Sequence, residues 1–358
     1  MVVKETSGRS DSVTFFRVLL AFLVVYSHSF SLLALDEPLA SYGTSFGEIA
    51  VKGFFVLSGF LLCTSAINQN AIKFFGNRVT RIFPALFVSV ISVSFVFSTL
   101  AALDEDWGTV RNLLSFSYTN ISLVNPNRMF EVPGIFLNNP IPGVLNGSLW
   151  TITWEFWSYS LLYPLIRIPI RLRRAADRPK ISEHTFIIGL LFFYTIGTFW
   201  VFKEIEASTG SVEYFLSQLF PCVLIGSLVR VLLESCHAIP TSRNRVWLCL
   251  VFFTPIFCFL IFKLNGSATE TMTYFAMIVL VVIFSNLKLK LKNISRGLDP
   301  SYGIYLYAYP IQQTLIHLGI RDFYLHVLAS LILSSIFGIL SWLFIEKSMV
   351  NILFREIK

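Results

Sequence analysis

Apolar runs of about twenty residues recur along this 358-residue chain, and they constrain its fold more than any other feature. Each run is long enough for an α-helix to cross the hydrocarbon core of a bilayer. Composition agrees, since 55% of the residues are hydrophobic, only 14% are charged and the mean hydropathy is +0.69. Such values lie well beyond those of soluble globular domains. The sequence therefore predicts an all-α polytopic membrane protein.

Ten candidate spans are found with a window of about twenty residues. They lie near residues 13–34, 46–66, 82–103, 148–169, 185–202, 212–233, 246–263, 270–287, 302–320 and 324–345. No polar stretch is long enough for a separate globular module, so we expect one integral-membrane domain over residues 1–358. The first run lacks a small-residue cleavage site and exceeds the apolar part of a signal peptide, which indicates a retained span.

Basic residues alternate between loops as the positive-inside rule describes. If the N-terminus is cytoplasmic, 21 of the 28 Lys and Arg fall in cytoplasmic loops and five in the opposite loops, while Arg17 and Lys52 lie within spans. We therefore expect both termini in the cytoplasm. No basic patch with interleaved aromatic residues is present, so nucleic acid is not expected as a partner. The five cysteines show no metal-ligand spacing, so no metal is expected either.

The longest extracytoplasmic connection runs from about residue 103 to 147 and is rich in Asn, Pro and Gly. Loops of this length are usually functional or disordered. Its amphipathic segment WGTVRNLLSFSYTNISL either lies at the membrane interface or dips into the membrane. The second possibility would change the number of spans.

Two ionisable residues share one face of the first span. Eleven helical steps separate Arg17 from His28, which amounts to roughly 16 Å along the axis and brings both within roughly 20° of the same azimuth. Arg17 snorkelling to the headgroups and His28 acting as a satisfied bundle histidine are the simpler interpretations. Ionisable groups inside a span are costly, however, so the pair on one face favours a functional role.

A second intramembrane charge, Glu155, enters from the opposite side of the membrane. It lies in the segment NGSLWTITWEFWSYSLLYPL, about seven residues past the start of the span near residue 148 and so roughly 10 Å deep, close to the depth expected for His28. A carboxylate beside an imidazole fixes its tautomer and stabilises the imidazolium, as a general base requires. The alternative is a structural hydrogen bond between helices. The neighbouring Trp150 and Trp154 are typical of an interfacial aromatic belt.

Six segments occur in order along nearly the whole chain. They are Arg17-x10-His28, VKGFFVLSGFL at 51–61, NRVTRIFPAL at 77–86, SLWTITWEFWSY at 148–159, SYGIYLYAYPI at 301–311 and FIEKS at 344–348. As a set they resemble the integral-membrane acyltransferase-3 family. The resemblance implies transfer of an acyl group, usually acetyl, from a cytoplasmic acyl-CoA to a carbohydrate hydroxyl at or beyond the outer face. It also implies functional weight for the first, second and third of these segments.

Several positions depart from what the resemblance implies. Many members of the family carry an acidic residue where this chain has Lys52, a histidine where it has Ala308, and a proline where it has Ser348. These departures leave open the alternative that this chain binds its acyl donor or its acceptor in a way of its own. Members that act on peptidoglycan often continue into an extracytoplasmic SGNH-type domain, and we expect this chain to be standalone.

With the resemblance, the sequence predicts an O-acyltransferase that uses acetyl-CoA as co-substrate and no metal. The acceptor is expected to be an envelope or exported polysaccharide or a glycolipid, and the location a multi-pass position in the bacterial inner membrane. The catalytic candidates are His28 as general base and Glu155. The candidates for binding CoA phosphates are Arg17, Arg78 and Arg81, and those for binding substrate are Lys52, Ser58, Trp150, Trp154 and Tyr302.

Alternatives stay open at this point. Arg78 and Arg81 are equally typical of topology determinants, Ser58 of helix packing, and Lys52 of a pair with Glu48 or Glu155. A transporter or flippase would use the same ionisable residues as a proton or substrate pathway. A third possibility is an assembly partner with a vestigial site.

The charge distribution generates a testable topology. Reporter proteins fused after Arg174 and after Lys292 should score cytoplasmic, because the basic loops stay on that side. A reporter inserted within residues 125–140 should score external. An odd number of spans between residues 103 and 148 would reverse the orientation of everything that follows, and a cytoplasmic signal from the 125–140 fusion would reveal it.

Overall fold

The computed structural model describes residues 11–176, 182–202, 209, 211–237, 268–286 and 298–349, and within these ranges the chain is helical without a β-strand. The helices are α1 (Asp11–Leu32), α2 (Phe46–Asn68), α3 (Ala71–Leu103), α4 (Trp107–Ile121), α5 (Trp150–Ala175), α6 (Glu183–Val201), α7 (Val212–Tyr214), α8 (Phe220–His237), α9 (Ala268–Asn286), α10 (Ser301–His317) and α11 (Phe323–Ser341). Single π-helical turns at Phe215–Leu219 and Trp342–Glu346 follow α7 and α11.

Nine of the ten expected spans coincide with helices, and the tenth, at 246–263, lies outside the described residues. Six segments in the described part of the chain are long and apolar enough to cross a membrane. They are Asp11–Leu32, Phe46–Asn68, Ala71–Leu103, Glu183–Val201, Val212–Ser235 and Phe323–Met349. The all-helical multi-pass architecture expected from the sequence is therefore confirmed.

Helices α2 and α8 pack against each other more extensively than any other pair in the described ranges. Two glycines allow this approach. A Cβ added to Gly226 would lie 1.8 Å from the carbonyl oxygen of Val56, and one added to Gly59 would lie 1.9 Å from that of Val223. Ser227 then donates a hydrogen bond of 3.1 Å to the carbonyl of Gly59. Small residues serve this purpose in membrane helices, because packing there depends on close backbone contact.

Three apolar helices, α3, α6 and α11, lie at the periphery and bury only a minor part of their surface. Each exposes large side chains, among them Phe95 and Phe193 with 71% of their surface exposed and Ile332 with 52%. In water such a surface would be costly. In a bilayer it is the surface that contacts lipid tails.

The long connection between α3 and α5 is folded into the bundle. Its amphipathic segment forms α4, which packs on α3, and the residues that follow reach α10. The side-chain amide of Asn146 donates to the carbonyl of Leu306 over 2.9 Å, and that of Asn139 donates to the side chain of Gln313 over 2.7 Å. The loop therefore occupies a defined position, and the start of α5 lies inside the bundle.

Replacing Gly226 with alanine should destabilise the protein, since the new methyl group meets backbone that cannot move aside. Overpacking of this kind costs about 1–3 kcal/mol. Gly197→Ala in α6 is the matched control, because nothing lies within 4 Å of its added Cβ. Thermal unfolding of both purified variants in detergent would measure the difference. Equal stability of the two would show that α2 and α8 do not approach as described.

Candidate active site

A partly open cavity lies between α1, α2, α3, α5 and α10, and its empty space, together with the open solvent at its mouth, amounts to about 840 Å³. The three arginines that the sequence singled out all line it. We call it the arginine cavity. Its lining residues are Arg17, Val51, Phe54, Phe55, Leu57, Ser58, Leu61, Leu62, Arg78, Arg81, Ile82, Thr151, Ile152, Glu155, Tyr159, Tyr302 and Tyr305.

Two of these arginines converge on one carboxylate. Arg17 of α1 and Arg81 of α3 both contact Oδ2 of Asp299, the second over 3.3 Å, and the side chain of Asp299 is only 4% exposed. Ser301, in the first turn of α10, donates to the other carboxylate oxygen over 2.6 Å. Each guanidinium uses one nitrogen in this contact, which leaves most of its donors available. The arrangement fixes three helices around the arginine cavity and keeps an excess of positive charge there.

Arg78, one turn before Arg81 on α3, is in a different situation. Its guanidinium carbon lies 5.4 Å from the ring centroid of Phe74, and its Nε is buried without a hydrogen-bond partner in the described part of the chain. A buried donor left unpaired is costly. Arg78 is therefore the arginine of this cavity that is best placed to bind an anionic ligand.

Glu155 lies with the arginines and not with His28, so the expected pairing of His28 with Glu155 is wrong. The hydroxyl of Tyr159 donates to the carboxylate of Glu155, and both side chains line the arginine cavity. The error arises from the loop. Asn146 bonds to Leu306, roughly 10 Å along α10 from Asp299, so α5 begins deep in the bundle. Counting depth from Asn146 as though it lay at the membrane surface therefore placed Glu155 too far out.

His28 lies beyond the arginine cavity, roughly 16 Å along α1 from Arg17. Its ring packs edge-on against Tyr309, with 5.2 Å between centroids. Nδ1 of His28 is buried without a hydrogen-bond partner among the described residues. Tyr309 also contacts the start of α5, because a Cβ added to Gly147 would lie 2.8 Å from its ring. His28 thus faces the end of the bundle that carries the long loop.

Neighbouring side chains on α10 hold α1 and the loop in place around His28. Gln312 donates from Nε2 to the carbonyl of Val25 over 2.8 Å and to the hydroxyl of Ser29 over 2.9 Å, on either side of His28 in the sequence. Gln313 donates to the loop carbonyls of Ile141 and Val144 over 2.9 and 3.0 Å. One helix therefore positions both the imidazole and the loop above it.

Tyr305 lies between the arginine cavity and His28. Its hydroxyl donates to the carbonyl of Ser148 over 2.8 Å and lies 2.6 Å from Oγ1 of Thr151. Tyr305 and Thr151 both line the arginine cavity, and Tyr309, one turn further along α10, contacts His28. Tyr302, one turn earlier on α10, lines the arginine cavity at the level where its hydroxyl donates to Ile82 over 3.2 Å.

The other expected substrate-binding residues divide into two groups. Ser58 lines the arginine cavity. Lys52 does not line it, because it is buried with Nζ 2.8 Å from the Glu48 carboxylate, one of the two pairings that the sequence left open. Trp154 stacks on Phe215, and Trp150 packs edge-on against Tyr214. Neither tryptophan lines the arginine cavity.

Arg128 gives the loop an internal support that the sequence did not reveal. It is 7% exposed, and its guanidinium donates to Thr153 over 2.7 Å and to the carbonyls of Asn120 and Ser122 over 2.7 and 2.8 Å. Burial lowers the pKa of Arg128 to about 10, so it stays charged near neutral pH. Arg128, whose charge the sequence indicated only as a marker of topology, therefore links α4 to α5.

Sequence reasoning missed Asp299, Tyr159 and Tyr305. Asp299 had a usable signal, because an acidic residue two positions before the SYGIYLYAYPI segment stands at the end of the bundle where the arginines were expected. Tyr305 lies inside that segment without any feature that distinguishes it from its neighbours. Only the packing of α10 against α5 singles it out.

Comparison with known proteins gives a consistent result. A family model described as an acyltransferase domain matches residues 10–346. An "O-acetyl transferase" of Shigella phage Sf6 is 26% identical over 338 residues, which cover 92% of this chain and 93% of that protein. "Nodulation protein 10" of Rhizobium leguminosarum bv. viciae is 26% identical over 334 residues, which cover 88% and 86% respectively. No solved structure shows significant similarity.

Asp299→Asn should destabilise the folded protein, because two largely buried guanidinium groups would lose their shared charge. Loss of one partner from a buried ion pair costs about 3–5 kcal/mol. Glu234→Gln is the matched control, since Arg230 and Glu234 pair with side chains 35% and 27% exposed, and exposed pairs contribute about 1 kcal/mol or less. Thermal unfolding of both variants in detergent measures the contrast. A variant at Asp299 as stable as the control would refute a structural role for the shared carboxylate.

Proposed function

Because this chain belongs to the acyltransferase-3 family, we propose that it is an O-acyltransferase that transfers an acetyl group from acetyl-CoA to a carbohydrate hydroxyl. The acceptor is an envelope or exported polysaccharide or a glycolipid. The name of the phage relative, an O-acetyl transferase aligned over nearly its whole length, supports acetyl as the acyl group.

The observation that carries the proposal is the shape and charge of the arginine cavity. Its lining on α2 runs from Val51 to Leu62, eleven helical steps or roughly 16 Å along the helix axis. An extended pantetheine arm has a length of the same order. Arginines bind phosphate groups through several directed hydrogen bonds. We assign the phosphates of CoA to the arginine end and the thioester to the end formed by Thr151 and Tyr305.

His28 serves as the general base in this proposal. It takes the proton of the acceptor hydroxyl while the oxygen attacks the thioester carbonyl carbon, and the C–S bond then breaks. The departing thiolate of CoA recovers the proton from the imidazolium. Nδ1 of His28 has no hydrogen-bond partner among the described residues, so this nitrogen is available to accept the proton.

Glu155 takes a role on the donor side. Its carboxylate lies in the same cavity as Arg78 and Arg17 and accepts a hydrogen bond from Tyr159. There it balances part of the arginine charge before CoA binds. Trp150, Trp154 and Lys52 remain candidates for the acceptor side, because they lie outside the arginine cavity and near the loop end of α5 and α2.

The membrane orientation follows from the charge distribution. We infer ten spans with both termini in the cytoplasm, so that the arginine end opens to cytoplasmic acyl-CoA and His28 lies in the outer half of the membrane. The location is the bacterial inner membrane, which agrees with relatives from a bacteriophage and from a bacterium. The acyl group then crosses the membrane within the protein.

His28→Gln should abolish acylation, because glutamine keeps the hydrogen bonding and bulk of histidine but cannot take up a proton near neutral pH. A general base contributes about 10²–10⁴-fold to the rate. His184→Gln, at an exposed position at the start of α6, is the control. Mass spectrometry of envelope glycans from cells with each variant, with the parental chain and without the protein would reveal the acyl group and its acceptor.

Parental acylation by the His28→Gln protein would show that the base is elsewhere. Substrate movement without any acyl group in the glycan would instead support a transporter.

Arg78→Lys should weaken binding of acetyl-CoA roughly tenfold, since an ammonium group lacks the planar fork that holds a phosphate. Arg230→Lys is a close control, because Arg230 also packs on a phenylalanine ring, 5.2 Å from the centroid of Phe60, but does not line the arginine cavity. Equilibrium binding of labelled acetyl-CoA to purified protein would compare them. If the two variants bind acetyl-CoA with equal affinity, Arg78 does not bind the phosphates and serves only to set the topology.

A further inference from the structure

We propose that Tyr305 forms the inner wall of the donor site and restricts the acyl group to short chains such as acetyl. The proposal rests on the assignment of the arginine cavity to acyl-CoA. It adds a residue that determines which acyl group is transferred, a property that neither the family nor the arginine contacts explain.

Tyr305 lines the arginine cavity, and its side chain is held both at the hydroxyl and at the ring. Its hydroxyl is fixed to α5 and the preceding turn through Thr151 and the carbonyl of Ser148. Phe54 of α2 lies across the ring, with 6.2 Å between centroids. Tyr305 is 9% exposed. A side chain held by two hydrogen bonds and an aromatic contact does not swing aside without breaking them.

Tyr309 adds a second aromatic ring on the His28 side of Tyr305. Tyr309 lies one turn further along α10 and packs against His28 on one side and against Gly147 on the other. An acetyl group at the Thr151–Tyr305 end therefore meets the aromatic wall directly. A longer acyl chain has to displace the Tyr305 ring or withdraw the thioester toward the arginines, away from His28.

The chemistry of the wall predicts the size of the effect. A closely fitting apolar site discriminates against one additional methylene group by roughly 10–200-fold. Butyryl-CoA carries two methylene groups more than acetyl-CoA, so the parental protein should prefer acetyl-CoA by at least tenfold. The hydroxyl of Tyr305 sets the position of the ring, whereas the ring itself sets the limit on length.

The test compares Tyr305→Ala with Tyr305→Phe. Inverted membrane vesicles, which carry the native acceptor, are supplied with acetyl-CoA or butyryl-CoA, and the acyl groups on the glycans are quantified by mass spectrometry. Tyr305→Ala should raise the ratio of butyryl to acetyl transfer at least tenfold. Tyr305→Phe keeps the ring and should keep the ratio within about threefold of the parental protein.

Tyr302→Ala is the control for a general effect on the site. Tyr302 lines the arginine cavity one turn away from Tyr305, so its removal should lower transfer from both donors without changing their ratio. Displacement of labelled CoA by acetyl-CoA and butyryl-CoA from purified protein gives a second readout that needs no turnover. Tyr305→Ala should bring the affinity for butyryl-CoA closer to the affinity for acetyl-CoA.

The results distinguish a failure of the role proposed for Tyr305 from a failure of the acyltransferase assignment. A folded Tyr305→Ala protein whose transfer and affinity ratios both equal the parental ones overturns the role of Tyr305. A tenfold shift in either ratio that Tyr302→Ala reproduces overturns it as well. Parental protein that transfers no acyl group from either donor contradicts the acyltransferase assignment itself.

Discussion

The arginine end of the molecule depends on the ion pairs that the carboxylate of Asp299 makes with Arg17 and Arg81. Charged groups are costly within a membrane protein unless they are paired, and Arg17 and Arg81 are paired through this one side chain. The contact joins α1 and α3 at the start of α10 and thereby sets the relative height of the three helices. The arginine cavity is lined by Arg17, Arg78 and Arg81, and the acidic side chains beside them are Asp299 and Glu155, so positive charge that suits a phosphate-bearing ligand remains.

The height fixed at Asp299 determines what the other end of α10 can reach. Asp299, just before α10, contacts Arg17 and Arg81. Along α10, Tyr305 then lines the arginine cavity, Tyr309 contacts His28, and Gln312 and Gln313 bond to α1 and to the loop. A change in the register of α10 would therefore disturb both ends of the site together. The helix thus holds Arg17 and His28, roughly 16 Å apart along α1, in a fixed relation to each other.

The sequence predicted the features that depend on local pattern. Apolar runs identified the helices. Arg17, Arg78 and Arg81, which the sequence placed in the same half of the membrane, line one cavity. The prediction from sequence failed for the depth of Glu155 in the membrane, because that depth depends on how the preceding loop folds. Glu155 was placed beside His28 because Asn146 was taken to lie at the membrane surface, whereas Asn146 bonds to the middle of α10. The position of Tyr305 against α5 and the support given by Arg128 could not be predicted, because each arises from contacts between distant segments.

A cryo-EM structure of the full chain in lipid nanodiscs with CoA bound tests most directly whether the arginine cavity is the donor site. The predicted result has the phosphates against Arg78 and its two neighbouring arginines, with the pantetheine arm running along α2 and its thiol next to Tyr305. Density for CoA outside this cavity, or with its thiol at the arginine end, would contradict the assignment.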